Sequence, residues 1–429
     1  MEKVNGRKLS LIFIFILILL VIALLVGKLT FSYLGPTLGE DLSNEGEVTA
    51  SGDTLIFTKG SNLSLSATTD NFQTGGSNLS STTNPKVRLI ASSKTNSASA
   101  TYYVGVVINS NSYTYTTSDN TAEAILTIKD ENGSNVTSGV DGLTYVTSGG
   151  VSGFDVTGKT GLFNIKTDYP ISTTSSSTGT THTWTFTLTF VNLGTDQSDN
   201  ENASMDLDVY LQKEKILTLA EHVISQYTGS QGDDSLYYHN STLNNGAGDN
   251  SYRYAGASES VNNYICLGSD ATTCPDANLF RIIGVFGDQT KVIRAKSIGN
   301  QKWDTNNSNT WSSSSLNTYL NGEYLTSLGT IAEKIATTTW KVGGRSSTYL
   351  YDVPTTAYQY EVGSSASTTT YEAKIGLMYA SDYGFAASSS AWTTKLSSYS
   401  SNTSKNWLYL GSYEWTISRY SGGTTGAFV

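Results

Sequence analysis

Charge is scarce in this chain, and so are the residues that carry most catalysis. Charged side chains make up 14% of the 429 residues, against about 25% in typical soluble proteins. Their sum is −10. That argues against a nucleic-acid binder, which needs a basic face to neutralise phosphates. Three histidines leave little room for histidine-rich metal chemistry. The sequence holds no H-E-x-x-H, no G-x-S-x-G and no Walker motif. It shows no repeat of 20–50 residues. Methionine, proline and cysteine are also rare. Ser, Thr, Asn, Gly and Tyr fill the gap, which suits an uncharged, wet exterior and β-structure. At about 100–200 residues per domain, the length predicts two or three domains.

One long apolar run stands out. Leu9 to Gly27 carries no charge, and as a helix it would span roughly 28 Å, the thickness of a bilayer core. Lys3, Arg7 and Lys8 precede it, and only Lys28 follows closely. The positive-inside rule therefore keeps residues 1–8 in the cytoplasm and exports the rest. The run is longer than a signal-peptide core, and VGKLTFSY lacks an A-x-A-like cleavage site. We expect an uncleaved signal anchor at 9–27, followed by a polar, acidic tether over 28–50.

From 51 to 212 the hydrophobic period is two. Trp184, Phe186, Leu188 and Phe190 share one face, with threonines opposite. Met205, Leu207, Val209 and Leu211 alternate with polar residues, as do Tyr102, Val104, Val106 and Ile108. Such alternation marks half-buried strands. Further strands are expected at Thr54–Thr58, Lys86–Ala91 and Ala122–Ile128. With Ser/Thr/Gly/Asn loops between them, the pattern predicts an all-β sandwich of the immunoglobulin or fibronectin type.

At Lys213 the period changes. Ile216, Leu217, Ala220, Val223, Ile224 and Tyr227 recur at helical spacing. They predict a connecting helix of about three turns within 213–232, ended by Gly229 and Gly232. Residues 233–429 read as an α+β domain. Phe280–Phe286 and Lys291–Ala295 form a hairpin around Gly287-Asp288. Helices are expected at Ser312–Leu328 and Ile331–Thr337, and a strand at Lys374–Ala380. Six of the seven tryptophans lie here.

Several strings in this half carry a resemblance. They are NNGAGDNSYRYAGA (Asn244–Ala257), NYICLGS (Asn263–Ser269), CPDANLFRIIGVF (Cys274–Phe286), WSSSSLNTYLNGEYL (Trp311–Leu325), KIGLMYASDYGFAA (Lys374–Ala387) and WLYLGSYEWTISR (Trp407–Arg419). With them the chain resembles a family of uncharacterised exported surface proteins of Gram-positive bacteria. The order of its helix and of the EWTISR string is similar to the C-type-lectin-like fold shared with formylglycine-generating enzymes. Relatives continue into a G-V-R-P-like strand, whereas this chain stops at Ala427-Phe428-Val429. The resemblance thus implies either a truncated chain or a domain that lacks its last strands. Formylglycine-generating enzymes place their cysteines late in the fold. The cysteines here lie early, which argues against carrying that activity over.

The candidate chemistry is sparse. Cys266 and Cys274 are the only cysteines. A structural disulfide, free buried thiols and a redox pair are all open, and an exported setting favours the disulfide. His182 begins a strand, His222 lies on the first helix, and His239 sits in a loop near Asp233 and Asp234. Acidic-amide loops offer hard oxygens to calcium: Asn244, Asn245, Asp249 and Asn250 in one, Asp130, Asn132 and Asn135 in another. Asx turns explain both loops equally well. Among many aromatics, Tyr252, Tyr254, Trp392 and Tyr409 are the ligand-binding candidates, because flat rings stack on sugar faces or make low-entropy protein contacts. Glu372, Asp382 and Glu414 are the acids from which a glycosidase pair would be drawn. The expectation is a membrane-anchored surface protein with a β-sandwich stalk and a non-catalytic head that binds glycan or protein. A structural surface-layer or pilus-like subunit and an extracellular enzyme of the formylglycine-generating type are the alternatives.

Overall fold

A computed structural model describes residues 45–50, 52–269, 271–344 and 352–420. The expected anchor at 9–27 and the C-terminal end at 421–429 lie outside the described residues. Among the described residues, no helix is long and apolar enough to cross a membrane. The described residues are rich in β-structure. The chain divides into two compact units, Met1–Ile216 and Leu217–Val429.

The first unit contains β1 (Glu45–Ala50), β2 (Asp53–Thr58), β3 (Leu63–Ser66), β4 (Leu79–Thr83), β5 (Lys86–Ile90), β6 (Ala98–Asn111) and β7 (Ala124–Lys129). It continues with β8 (Thr144–Ser148), β9 (Val151–Asp155), β10 (Gly161–Thr173), β11 (Thr180–Thr183), β12 (Thr185–Phe190) and β13 (Ser204–Gln212). The sheets run β1-β2-β5-β11, β10-β6-β13-β3 and β4-β12-β7-β9-β8. All the pairings are antiparallel. The alternation read from the sequence sets the faces. Phe186, Leu188 and Phe190 of β12 and Met205, Leu207 and Val209 of β13 enter one core with Val104, Val106 and Ile108 of β6. Burying each of these large side chains contributes about 1.5–3 kcal/mol. On the other face of β12, Thr187 and Thr189 meet Thr82 and Ser80 of β4 through hydroxyl hydrogen bonds of 3.0 Å, a stabilising cross-strand pairing.

Two expectations change in this unit. Residues 45–50, read as tether, pair as β1 along β2. The run His182–Val191 is two strands rather than one. The break falls at Trp184, whose backbone N–H donates to the Pro85 carbonyl instead of a strand partner. At the other end of β12, where Phe190 pairs with Ala124, Glu123 is fully enclosed and accepts from Thr116 N–H and hydroxyl, Gln197 Nε2 and Asn200 Nδ2. These donors satisfy the carboxylate without a cation.

The second unit opens with α1 (Leu219–Ser225), whose Thr218 cap accepts from the Glu221 N–H. The helix is shorter than expected and starts at the cap. Ala220 and Val223 enter the core of this unit, while Leu217 is exposed. Then come β14 (Leu236–His239), β15 (Ser251–Tyr254), β16 (Tyr264–Cys266), β17 (Leu279–Phe286) and β18 (Gln289–Arg294). β18 covers one edge of β17, and β16 and β15 share the other in succession. The expected hairpin around Gly287-Asp288 is therefore β17–β18. α2 (Ser315–Tyr319) is capped by Ser314 and passes into a π-turn over Leu320–Tyr324. That turn contains the Asn321-Gly322 pair that weakens helical pairing. A short helix spans Thr330–Lys334. β19 (Thr338–Lys341) pairs with β20 (Thr370–Ala373).

The strand expected at Lys374–Ala380 is not formed. The Asn321 side chain takes both the N–H and the C=O of Ile375, so a side-chain amide replaces a strand neighbour there. α3 (Pro354–Glu361) and α4 (Ala380–Ala386) follow. Gly384 lets them touch, since a Cβ there would come within 2.6 Å of the Pro354 ring.

Candidate functional site

The cysteines form a disulfide between Cys266 and Cys274, with Cα atoms 5.8 Å apart. Cys266 ends β16 and Cys274 lies just before β17, so the bridge closes the loop between paired strands. No free thiol is left in the chain.

The calcium loops are held from within. Asp249 Oδ1 accepts from the Ser251 N–H and hydroxyl, and Oδ2 accepts from Arg253 Nη2 at 2.7 Å. The positive charge at that loop is the chain's own guanidinium. Burial pushes the Asp249 carboxyl up, but Arg253 and Ser251 outweigh it and hold it below the usual range. Asn244, Asn245 and Asn250 are exposed. Asn245 and Asn250 adopt left-handed backbone, with φ of 58° and 59°, a conformation asparagine tolerates. Asn250 Oδ1 accepts from the Tyr238 hydroxyl. In the other loop, Asp130 Oδ1 accepts from the N–H groups of Asn132 and Ser134, an Asx turn. Among the described residues, no group of three or more His, Cys, Asp or Glu side chains is placed to hold a metal ion.

Asp249 belongs to a buried ionic core that the sequence did not disclose. Arg253 reaches Asp249 and Asp382, the latter at 3.3 Å, and its Nε donates to Ser251. The guanidinium lies 4.6 Å from the Phe286 ring centre and 5.0 Å from that of Phe385. Asp382 also binds Lys291 and caps α4 by accepting from the Tyr379 N–H. Lys291 sits 4.5 Å above the Tyr379 ring. Arg253 and Asp382 are 2% and 3% exposed, so this central pair is dry, while Asp249 and Lys291 at its margins are 16% and 17% exposed. Asp382 is thereby committed to two cations and is not a free catalytic acid. Glu361 is likewise spent. It accepts from the N–H groups of Ala380 and Ser381 and from the Ser418 hydroxyl, while burial raises its pKa. Glu372 is exposed on β20.

The histidines are placed differently from the expectation. His239 is not in a loop: it ends β14 and is fully enclosed. Its Nδ1 accepts from the Ala247 N–H, and its ring packs against Phe385 and Trp392. Burial, and then the nearby Arg253 charge, hold its pKa well below the ordinary value. His182 shares a hydrogen bond with the Tyr102 hydroxyl, which also accepts from Trp184 Nε1. His222 lies on α1.

The aromatic candidates separate by exposure. Trp392 is 1% exposed, and its Nε1 donates to the Phe385 and Ala387 carbonyls, so it is core. Tyr254 is buried, and its carbonyl accepts from Trp407 Nε1. Tyr252 is half-buried and stacks on Tyr238 with centres 4.6 Å apart. Tyr409 alone of the four is exposed, at 40%, and it has company the sequence did not single out. Leu410 is 43% and Tyr413 92% exposed. The three sit on one loop with anchored stems. Before it, the Trp407 N–H donates to the Gly256 carbonyl, and Leu408 is buried. After it, Trp415 Nε1 donates to the Gln301 carbonyl and the Ile417 N–H to that of Met378. Gly411, with φ of 84°, supplies the turn between them. The EWTISR string forms this anchored stem. Its Glu414 is mostly enclosed, and its Oε1 has no hydrogen-bond partner. Burial raises its pKa from 4.5 to about 7.

No family model, curated protein or solved structure matches the chain.

Proposed function

We propose that the chain is a membrane-anchored bacterial surface protein whose second unit is a non-catalytic head that binds glycans. One observation carries this reading: Tyr409, Leu410 and Tyr413 stand in water on a loop whose two stems are fixed in the core. Flat, exposed rings between Gly, Ser and Glu suit the mixed apolar and hydroxylated faces of a sugar. The anchor rests on the apolar run at 9–27, and the Gram-positive surface setting on the resemblance of the strings quoted above. In this reading the first unit is a sandwich module of the immunoglobulin or fibronectin type and the second has the C-type-lectin-like fold. An enzyme of the formylglycine-generating type would need cysteine chemistry, and both thiols are tied in a disulfide.

The test is a glycan array probed with the purified full chain in detergent, with calcium and with EDTA. Selective binding supports the reading, and loss in EDTA would add calcium to the site. A folded chain that binds no glycan but binds a protein, or assembles with itself, would replace it with adhesion to protein or with the structural-subunit alternative.

A further inference from the structure

Arg281 is a buried cation held without an acid. It lies on β17, directly opposite Tyr264 of β16 in the strand register, and is 3% exposed. Its Nε donates to Asn263 Oδ1, its Nη1 to the Ser258 hydroxyl and the Trp407 carbonyl, and its Nη2 to the Val261 carbonyl. Every one of these acceptors is neutral. Among the described residues, none of the ion pairs includes Arg281, whereas Arg253 in the same unit has two acids. Buried charge is ordinarily paired, so the Arg281 field is left over for something else. Glu259, beside Ser258, is exposed, where water screens its charge.

That field emerges beneath an exposed ring. The guanidinium lies 4.4 Å from the Tyr264 ring centre and 4.5 Å from that of Trp407. Trp407 is buried, but Tyr264 is 48% exposed. The Trp407 carbonyl that Arg281 holds belongs to the stem of the aromatic loop, two residues before Tyr409. One guanidinium thus ties β16 to that stem and joins Tyr264 to the exposed rings. Cys266, two residues after Tyr264, is bridged to Cys274, which fixes β16 at the end of its sheet.

We propose that Tyr264 belongs to the same ligand face as Tyr409 and Tyr413, and that the Arg281 charge beneath it selects an acidic glycan, one bearing carboxylate or sulfate. The ring offers the stacking surface, and the buried charge, weakly screened, attracts an anion at the ring's edge. Arg281 acts through Tyr264 as a positioning residue that the ligand need not touch. The inference rests on the glycan reading of the aromatic loop and adds the sign of the ligand's charge.

The experiment is a glycan array with neutral, carboxylated and sulfated members, probed with the full chain in detergent at low and at high salt. Acidic members are expected to bind at least tenfold more tightly than their neutral counterparts at low salt, and less so at high salt. The two acidic arms say which anion is preferred. Tyr264→Ala, a change at an exposed ring, should weaken acidic binding at least tenfold in a chain that still unfolds cooperatively. Arg281→Gln, still able to donate to Asn263, should bind acidic and neutral members alike. Should Arg281→Gln not fold, the salt dependence and Tyr264→Ala still decide. Equal binding of acidic and neutral members by the native chain overturns the proposal and leaves the glycan reading standing. So does an acidic preference that salt does not reduce, or undiminished acidic binding by a folded Tyr264→Ala chain. A native chain that binds no glycan overturns both.

Discussion

Asp382→Asn is the substitution that most strongly challenges the second unit. It removes the one negative charge shared by two cations, Arg253 and Lys291. Arg253 keeps Asp249, and Lys291, 17% exposed, has a route to water. Asparagine can still accept the Tyr379 N–H, so the α4 cap survives. What is lost is charge balance in a site where the pair is 2% and 3% exposed. Breaking a buried pair on one side costs about 3–5 kcal/mol. For a domain of this size each kcal/mol moves Tm by about 2–4 °C, so the fall is roughly 6–20 °C. Tryptophan fluorescence during urea unfolding is the assay, because six of the seven tryptophans follow residue 217. A companion variant, Arg253→Met with Asp382→Leu, removes both sides. It should lose less than the sum of its single changes, since neither Arg253 nor Asp382 is left facing a vacated partner, and Asp249 and Lys291 are each partly exposed to water. A loss under about 0.5 kcal/mol for Asp382→Asn, or strict additivity in the double variant, would show that the Arg253–Asp382 pair is not dry and mutually compensated.

Other outcomes follow from buried groups. His239 is neutral in the fold and protonates more readily when unfolded, so below about pH 6.5 the unfolded state binds more protons and stability falls with falling pH. His239→Gln, which can still accept from Ala247, should flatten that acid limb of a stability-against-pH curve. Glu414 acts in the opposite direction. The fold holds its proton from 4.5 up to about 7, so stability falls as pH rises through that window. At 1.36 kcal/mol per pH unit the full effect is at most ~3.4 kcal/mol, and Glu414→Gln should recover it at pH 8.5 but not at pH 4. Reducing Cys266–Cys274 should cost about 2–3 kcal/mol through loop closure alone, read as a drop in Tm with a reductant. Replacing both cysteines by serine should reproduce the drop and make the reductant irrelevant.

The first unit was legible because one signal dominates it. Period-two alternation, as in Phe186, Leu188 and Phe190, states which face is buried before any sheet is known. What it could not show was the break at Trp184, which depends on Pro85 a hundred residues earlier. In the second unit the period is less informative. Lys374–Ala380 reads as a strand by composition, yet a distant Asn321 takes its backbone. Asp249 and Arg253 are neighbours in the chain, but Lys291 and Asp382 lie far from them and only the fold joins the four. Trp392 and Tyr413 show the same limit for the site. Both are large aromatics in loops, one enclosed and the other almost wholly in water. A Gly-Ser pair before Tyr413 was the one local hint of an exposed turn.

The proposed glycan binding rests on the loop bearing Tyr409 and Tyr413. The most direct measurement compares the full chain with a Tyr409→Ala, Tyr413→Ala variant on one glycan array, with thermal unfolding run on both. Selective binding by the native chain is expected, with at least a tenfold loss in a variant that still unfolds cooperatively, because Tyr413 is 92% and Tyr409 40% exposed. Glycan binding that persists in a folded variant would contradict it.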